Sequence, residues 1–297
     1  MSATLYEIVT EKIIEALEKG VVPWRKPWNT TAQLPCNATN NRPYRGVNVF
    51  LLGLMPYADH RWLTFRQAQE LGGTVRQGEK STLVVFWKYP DKKPDVEDEE
   101  ERRRSAPILR YFNVFNAEQV EGLNLPPLPS VGNLTEAHRI ERAEVLVRSM
   151  IDPPQIQEVG TKAGYSPSRD LVRIPQIGSF DSIDQYYATL FHELAHSTGH
   201  GKRLNRPGVT GQVRFGSERY AREELVAELA SAFCCATVAL DNSILENSAA
   251  YIESWIASLR RDPKAIVVAA GQAQKAADYI KGIQYPLVAD IPTLAIA

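Results

Sequence analysis

The chain has 297 residues, with 34 Lys and Arg against 35 Asp and Glu and a net charge of −1. That balance excludes an overall polycation, so any nucleic-acid contact must come from a local patch. Its apolar fraction of 44 % is that of a globular protein, and the length is enough for two ordinary domains.

Residues 1 to 20 read as an amphipathic helix, with Ile8, Ile13, Ile14 and Leu17 set among charges, and carry neither the apolar core nor the cleavage site of a signal peptide. No run approaches the ~20 apolar residues that cross a bilayer, so no membrane partner is expected. Cys36, Cys234 and Cys235 form no CxxC pair, which fits a reducing, cytoplasmic compartment.

From residue 21 to 89 aromatics interleave with cations. The runs are Trp24-Arg25-Lys26-Pro27-Trp28, Arg42-Pro43-Tyr44-Arg45, Arg61-Trp62 through Arg66, and Trp87-Lys88-Tyr89, with Lys80 between them. Exposed aromatic faces stack on bases at ~1–3 kcal/mol each while Lys and Arg follow the phosphates, so the combination suits single-stranded DNA. The competing reading is an ordinary core whose cations snorkel at its rim. Leu83–Tyr89 and Ile108–Phe115 read as two strands of a hairpin, and the charge block at 90–104 is too polar to bury and forms its loop. Proline and glycine concentrate at 121–133, a linker, and a helix from about 135 to 150 opens the second half.

Tyr165 to Pro175 reads as a short strand, with Leu171 and Arg173 on one face and Val172 and Ile174 on the other. Its expected place is a sheet edge, where an extended peptide could add itself. Tyr187, Leu190, Phe191 and Leu194 then recur at helical spacing and run into His192-Glu193-Leu194-Ala195-His196, with Gly199 closing the helix. A second helix spans Ser217 to Phe233, with Leu225, Leu229 and Phe233 on one stripe and carboxylates at Glu223, Glu224 and Glu228. Asn247–Leu259 and Pro263–Lys281 are alanine-rich amphipathic helices, with Ile252, Trp255, Ile256 and Leu259 as core candidates that pack behind the metal-bearing helices.

Imidazoles four residues apart on a helix project from one face and can grip one metal ion. Catalytic zinc keeps three protein ligands and one open position, so a third ligand is expected on the second helix. Glu224 is the favoured third ligand, with Glu228 as its competitor or as the acceptor from a ligand imidazole. Glu193 stands where it can take a proton from a water acidified by the metal, as the general base of amide hydrolysis. Zn²⁺ is the expected ion; Mn²⁺ or another divalent ion is accepted by the same donor set. Tyr165 and His200 are the candidates for a catalytic acid or oxyanion donor. Cys234 and Cys235 lie in an apolar segment that disfavours a thiolate, which argues against a cysteine nucleophile.

Val22–Trp28, Arg42–Asn48, Trp62–Ala68, Gly78–Lys80, Tyr111–Asn116, His192–His200 and Glu223–Glu228, in that order, resemble the plasmid-borne antirestriction proteins of the ArdC type along essentially the whole chain. The N-terminal part is similar to the front of TraC-type plasmid primases, which implies a single-stranded DNA binder. The C-terminal part is similar to zincin-like metallopeptidases attached to DNA-handling proteins. The resemblance implies an antirestriction protein that protects incoming conjugative DNA. The expected fold class is α+β: a mixed α/β single-stranded-DNA-binding domain at 1–130, then a helix-rich zincin-like domain with a small sheet at 131–297. A monomer acting on a protein associated with DNA or with a restriction system is one reading, and a non-proteolytic DNA shield with a vestigial or structural metal site is the other.

Overall fold

The computed structural model describes residues 3–25, 33–88, 108–128, 135–211, 217–241 and 249–283. Lys26, Trp28, Tyr89 and the charge block at 90–104 lie outside the described residues, as does part of the 121–133 linker.

Helix α1 (Leu5–Glu18) begins at a capping box in which Thr4 and Glu7 satisfy each other's backbone N–H groups, and its buried stripe is Val9, Ile13, Ile14 and Leu17. There follow β1 (Cys36–Asn37), α2 (Val47–Gly53), β2 (Arg61–Thr64), α3 (Phe65–Glu70), β3 (Thr74–Val75), β4 (Thr82–Lys88), β5 (Ile108–Asn116) and β6 (Val120–Glu121). A four-stranded sheet has the order β1-β2-β5-β4, with β1 parallel to β2 and the other pairs antiparallel, while β3 and β6 form a separate ribbon. The hairpin register runs from Thr82↔Val114 to Lys88↔Ile108. Asn48 of α2 covers the outer edge of β4 with its amide, accepting from Val85 N at 2.8 Å and donating to Val85 O at 2.6 Å. An open edge is thereby partly satisfied as another strand would satisfy it.

The second half contains α4 (Glu136–Arg148), β7 (Gln155–Glu158), β8 (Gly164–Ser166), β9 (Leu171–Ile174), α5 (Ile183–Thr198), α6 (Pro207–Thr210), α7 (Glu218–Val238), α8 (Ala249–Arg261) and α9 (Ala265–Ile280). The segment read from sequence as one edge strand is two. Tyr165 pairs with Val172 across a turn in which Asp170 has φ 47°, and β9 lies in the middle of the sheet, parallel to β7 and antiparallel to β8. A peptide added to this sheet would have to pair with β7 or β8. Among the described residues no helix is long and apolar enough to cross a membrane.

One apolar core runs through both halves. It joins Ile13 and Leu17 of α1 and Phe50 of α2 to Leu194 of α5, Leu229 and Phe233 of α7, and Ile266 and Ala270 of α9. Phe50 stacks on Phe233 with ring centroids 5.0 Å apart and planes at 14°. Trp24, 0 % exposed, sits edge-on to both Phe50 and Trp255, and Trp62 is packed with Leu52, Val84 and Val114. Neither tryptophan offers a free face to a base, so the stacking role read for them from composition is withdrawn in favour of the core reading. Polar contacts cross the same junction. Thr10 Oγ1 donates to Pro263 O at 2.6 Å, Gly46 N donates to Gln274 Oε1 at 3.1 Å, and Arg45 pairs with Asp278. Gly46 makes its contact with φ 59°, a backbone conformation that side-chain-bearing residues rarely adopt.

Phe50→Ala should remove a buried ring from this junction and cost about 3–5 kcal/mol. Urea unfolding followed by both tryptophan fluorescence and far-UV circular dichroism should show one coincident transition at lower midpoint. Two separated transitions would mean that the halves fold independently.

Candidate metal centre

The N-cap Ser182 accepts from Gln185 N at 3.2 Å, and α5 buries Tyr187, Leu190, Phe191 and Leu194 against its neighbours. His192 and His196 share one face of it, their rings 4.8 Å apart and nearly perpendicular. α7 starts at its own cap, Ser217, and packs along α5 so that Glu224 meets the histidines. His192 Nε2 and His196 Nε2 are 3.1 Å apart, and Glu224 places Oε2 at 3.5 Å from the first and Oε1 at 3.6 Å from the second. Ligand atoms 2.0–2.2 Å from a tetrahedral zinc stand roughly 3.3–3.6 Å from one another. The separations fit a small divalent ion held by two imidazoles and one carboxylate, which leaves coordination positions open.

Glu193 is buried and close enough to attract positive charge on both imidazoles. Glu228, the competitor for third ligand, is not in the ligand group; it is half-buried one turn on and acts on His192 by charge alone. Nor does it accept from a ligand ring. That place belongs to Glu223, whose Oε1 faces His196 Nδ1 across 3.5 Å.

Glu223 is itself held by Arg206, which donates from Nη2 at 2.6 Å and from Nε at 3.1 Å. The same guanidinium donates to Ala195 O at 2.7 Å and Thr198 Oγ1 at 2.6 Å, tying the α5 end of the site to α7. Two glycines make room for it. A Cβ at Gly208 would lie 2.8 Å from Glu223 Oε2, and one at Gly199 would lie 2.5 Å from Val209 Cγ2 and 3.0 Å from Arg206 Nη2. Gly199 has φ −75°, so close approach and not a left-handed turn requires glycine there. Arg206 escaped the sequence reading because its partner lies across a loop, and the only local signal was the Gly199 and Gly208 pair around it.

Without a metal ion the centre is a buried network of opposite charges. Burial by itself pushes the His196 imidazole down, but hydrogen bonding to Glu223 and Glu224 outweighs it and raises the pKa to about 10. Burial likewise raises the Glu224 carboxyl, and the two imidazoles overcome it, holding the group well below the usual carboxylate range. The histidine contribution to apo stability is therefore complete below its ordinary pKa of ~6.5 and is lost as pH rises through about 10. The carboxylate contribution is complete above ~4.5 and is lost as pH falls. The contribution of this network to the stability of the metal-free protein should accordingly be greatest between about pH 4.5 and 6.5. A metal needs the neutral imidazole, so at pH 7 its binding should release about one proton, and affinity should rise with pH. Calorimetry in two buffers of different ionisation enthalpy measures that proton, and identical heats in both would refute it.

Tyr165 donates its hydroxyl to Asp170 Oδ1 at 2.8 Å, and Asp170 is paired to Arg203; burial and then Asp170 push the phenol well up against the opposing pull of Arg203. Its proton is thus engaged by Asp170. His200 stands beyond the helix end, its Nδ1 accepting from Lys202 N at 3.2 Å, outside the ligand group.

The cations read as phosphate contacts divide. Arg25 is half-buried; burial lowers its pKa, Glu228 of α7 offsets this, and its Nε and Nη2 have no hydrogen-bond partner among the described residues. Arg61 is clamped by Asp59, with Nη2 to Oδ2 at 2.7 Å, and by Pro126 O at 2.6 Å. Tyr44 is half-buried beside Trp62, its phenol pushed up to about 12 by burial. Arg61 is thus engaged within the protein, while Arg25 and Tyr44 are half-buried. Arg42 and Lys80 are exposed, Arg66 is exposed beside Glu70, and Arg45 keeps about half of its side chain in solvent beside Asp278.

Residues 3–115 match the family of the N-terminal domain of anti-restriction factor ArdC, and residues 141–272 match a zincin-like metallopeptidase family. An uncharacterized protein, y4eC, of Sinorhizobium fredii is 40 % identical over 94 % of this chain and 92 % of its own length. A DNA primase TraC of Escherichia coli is 37 % identical over 93 % of the chain, which spans 20 % of that primase. A solved structure of the antirestriction protein ArdC from the R388 plasmid, in Mn(II)-bound form, is 36 % identical, covers 94 % of this chain and 97 % of its own, and superimposes with a TM-score of 0.74. Its metal-free form superimposes with a TM-score of 0.73. With a donor set that fits a divalent ion, and with near full-length similarity to such proteins, this chain belongs to the ArdC antirestriction family.

Proposed function

We propose that the protein protects incoming single-stranded plasmid DNA from restriction. In this reading residues 1–130 bind the strand and residues 131–297 carry a zinc- or manganese-dependent peptidase that cuts a protein near that DNA. The observation that carries the catalytic part is the meeting of His192, His196 and Glu224 at 3.1–3.6 Å, with Glu193 buried beside them. When bound, a divalent ion there would supply Lewis acidity, lowering the pKa of water towards about 7 and polarising a peptide carbonyl. His192 and His196 offer Nε2, and Glu224 offers a carboxylate oxygen. Glu193 takes the proton of the attacking water on its carboxylate and returns it to the departing amide nitrogen. Glu223, fixed by Arg206, holds the His196 ring in register. Strand binding near the peptidase would raise the local concentration of DNA-associated substrates without any further contact at the active site.

The test is conjugation of a plasmid with unprotected restriction sites into paired recipients. Expressing the chain should raise transfer into a restricting recipient and leave transfer into its restriction-deficient twin unchanged. Equal yields with and without the protein in the restricting strain would sink the antirestriction reading.

A further inference from the structure

Directly opposed residues of an antiparallel pair share a face of the sheet, and side chains alternate along each strand. The pairs Val84↔Phe112, Phe86↔Arg110 and Lys88↔Ile108 therefore put these six residues on one side of the β4–β5 hairpin. On the opposite side Val85 and Leu109 are buried in the main core, while their partners Tyr111 and Trp87 are exposed. On the first side the inner end is closed, Val84 and Val114 being packed under Leu52 and Trp62. The outer end is open. Phe86 and Phe112 are half-buried there, stacked ring on ring with centroids 4.7 Å apart and planes at 9°. Arg110 and Lys88 are exposed beside them, and Ile108 is 47 % exposed.

Among the described residues the charge on this strip has one sign. Among the described residues of this face there is no carboxylate, and neither Arg110 nor Lys88 has an ion-pair partner among the described residues. An aromatic pair set in a sheet with two cations at its outer end, neither ion-paired among the described residues, matches a polymer that combines flat apolar rings with regularly spaced negative charge. We infer that the Phe86–Phe112 pair, with Arg110 and Lys88, is the surface on which single-stranded DNA docks, an inference that rests on the reading of the chain as a strand binder. From Phe112 to Ile108 the strip is roughly 13 Å long. That leaves room for two or three bases, the number that aromatic side chains on a sheet face hold in RNA-recognition modules. Lys88 and Arg110 meet the phosphates. Of the runs in which aromatics and cations are dense in sequence, only the last, through Lys88, reaches this face; Trp24 and Trp62 of the earlier runs are buried in the core.

The test uses the full chain and a fluorescein-labelled oligo(dT) strand, with affinity followed by anisotropy across a salt series. Phe112→Leu and Phe86→Leu keep apolar bulk and remove the ring, and each should weaken binding about tenfold. Lys88→Ala with Arg110→Ala, both exposed and safe for folding, should reduce the salt slope by about 1.4, at ~0.7 per phosphate contact on a single strand. Arg148→Ala, an exposed cation on α4, should change neither quantity. If the wild type binds the strand and these variants bind equally with an unchanged slope, the docking face is wrong while the strand-binding reading stands. If the wild type binds no single strand, the reading beneath it fails. Equal affinity for a duplex of the same length would show phosphate attraction without stacking and would overturn the face as well.

Discussion

Glu193→Gln should lower peptide-bond hydrolysis by at least about 10²–10⁴-fold while leaving metal content at the wild-type level. Glutamine keeps the shape of the side chain and its place on α5, but it cannot accept the water proton. His192, His196 and Glu224, which supply the ligand atoms, are untouched. The measurement is cleavage of DNA-associated proteins, with and without single-stranded DNA, alongside metal stoichiometry for wild type and variant. Cleavage that survives the substitution would remove Glu193 as the general base. The same variant in the conjugation assay separates the two activities. Protection lost with cleavage makes the peptidase the instrument of antirestriction. Protection that persists assigns it to strand binding.

Arg206→Met should be the most destabilising single change at the centre. The guanidinium is 5 % exposed and pairs with Glu223, which is 6 % exposed, so its loss leaves a carboxylate buried and uncompensated. Breaking one side of such a pair costs about 3–5 kcal/mol. Ala195 O and Thr198 Oγ1 lose their donors at the same time. Because Glu223 also orients His196, metal affinity should fall about 10–100-fold. Adding Glu223→Gln removes the orphaned charge and should recover part of the stability, but not the metal affinity. Differential scanning calorimetry and metal competition read the two effects separately. An unchanged melting temperature in Arg206→Met would show that solvent reaches the pair and that the relay is not structural.

The histidine-bearing helix was legible in the sequence because its information is local. Helical apolar spacing, a Ser182 cap and two histidines four apart are all contained within α5. The same holds for α7 and for the strands of the β4–β5 hairpin, short runs rich in β-branched and aromatic residues. Sequence patterns also place three glutamates on α7, but which one meets which imidazole depends on how α7 rotates against α5. That rotation brings Glu224 to the ligand group and Glu223 to His196 Nδ1, leaving Glu228 one turn away. The aromatic-rich runs misled for a similar reason. A tryptophan beside an arginine has one spelling whether it faces solvent or a neighbouring helix, and Trp24 faces Trp255, more than two hundred residues on. A segment such as 165–175 does not show in sequence what pairs with it, and β7, the parallel neighbour of β9, has no alternating apolar pattern. All four of its residues are exposed.

The core that threads α1, α2, α5, α7 and α9 has a consequence for anyone who wishes to divide this protein. A peptide expressed up to residue 130 would carry Phe50 and Trp24 into water without Phe233 and Trp255, and should aggregate. A protease that nicks the exposed stretch around Asn124 to Pro127 should leave two fragments that still travel together on a sizing column. The unit that folds is thus the whole span, the β4–β5 hairpin and the metal centre together, and not either half.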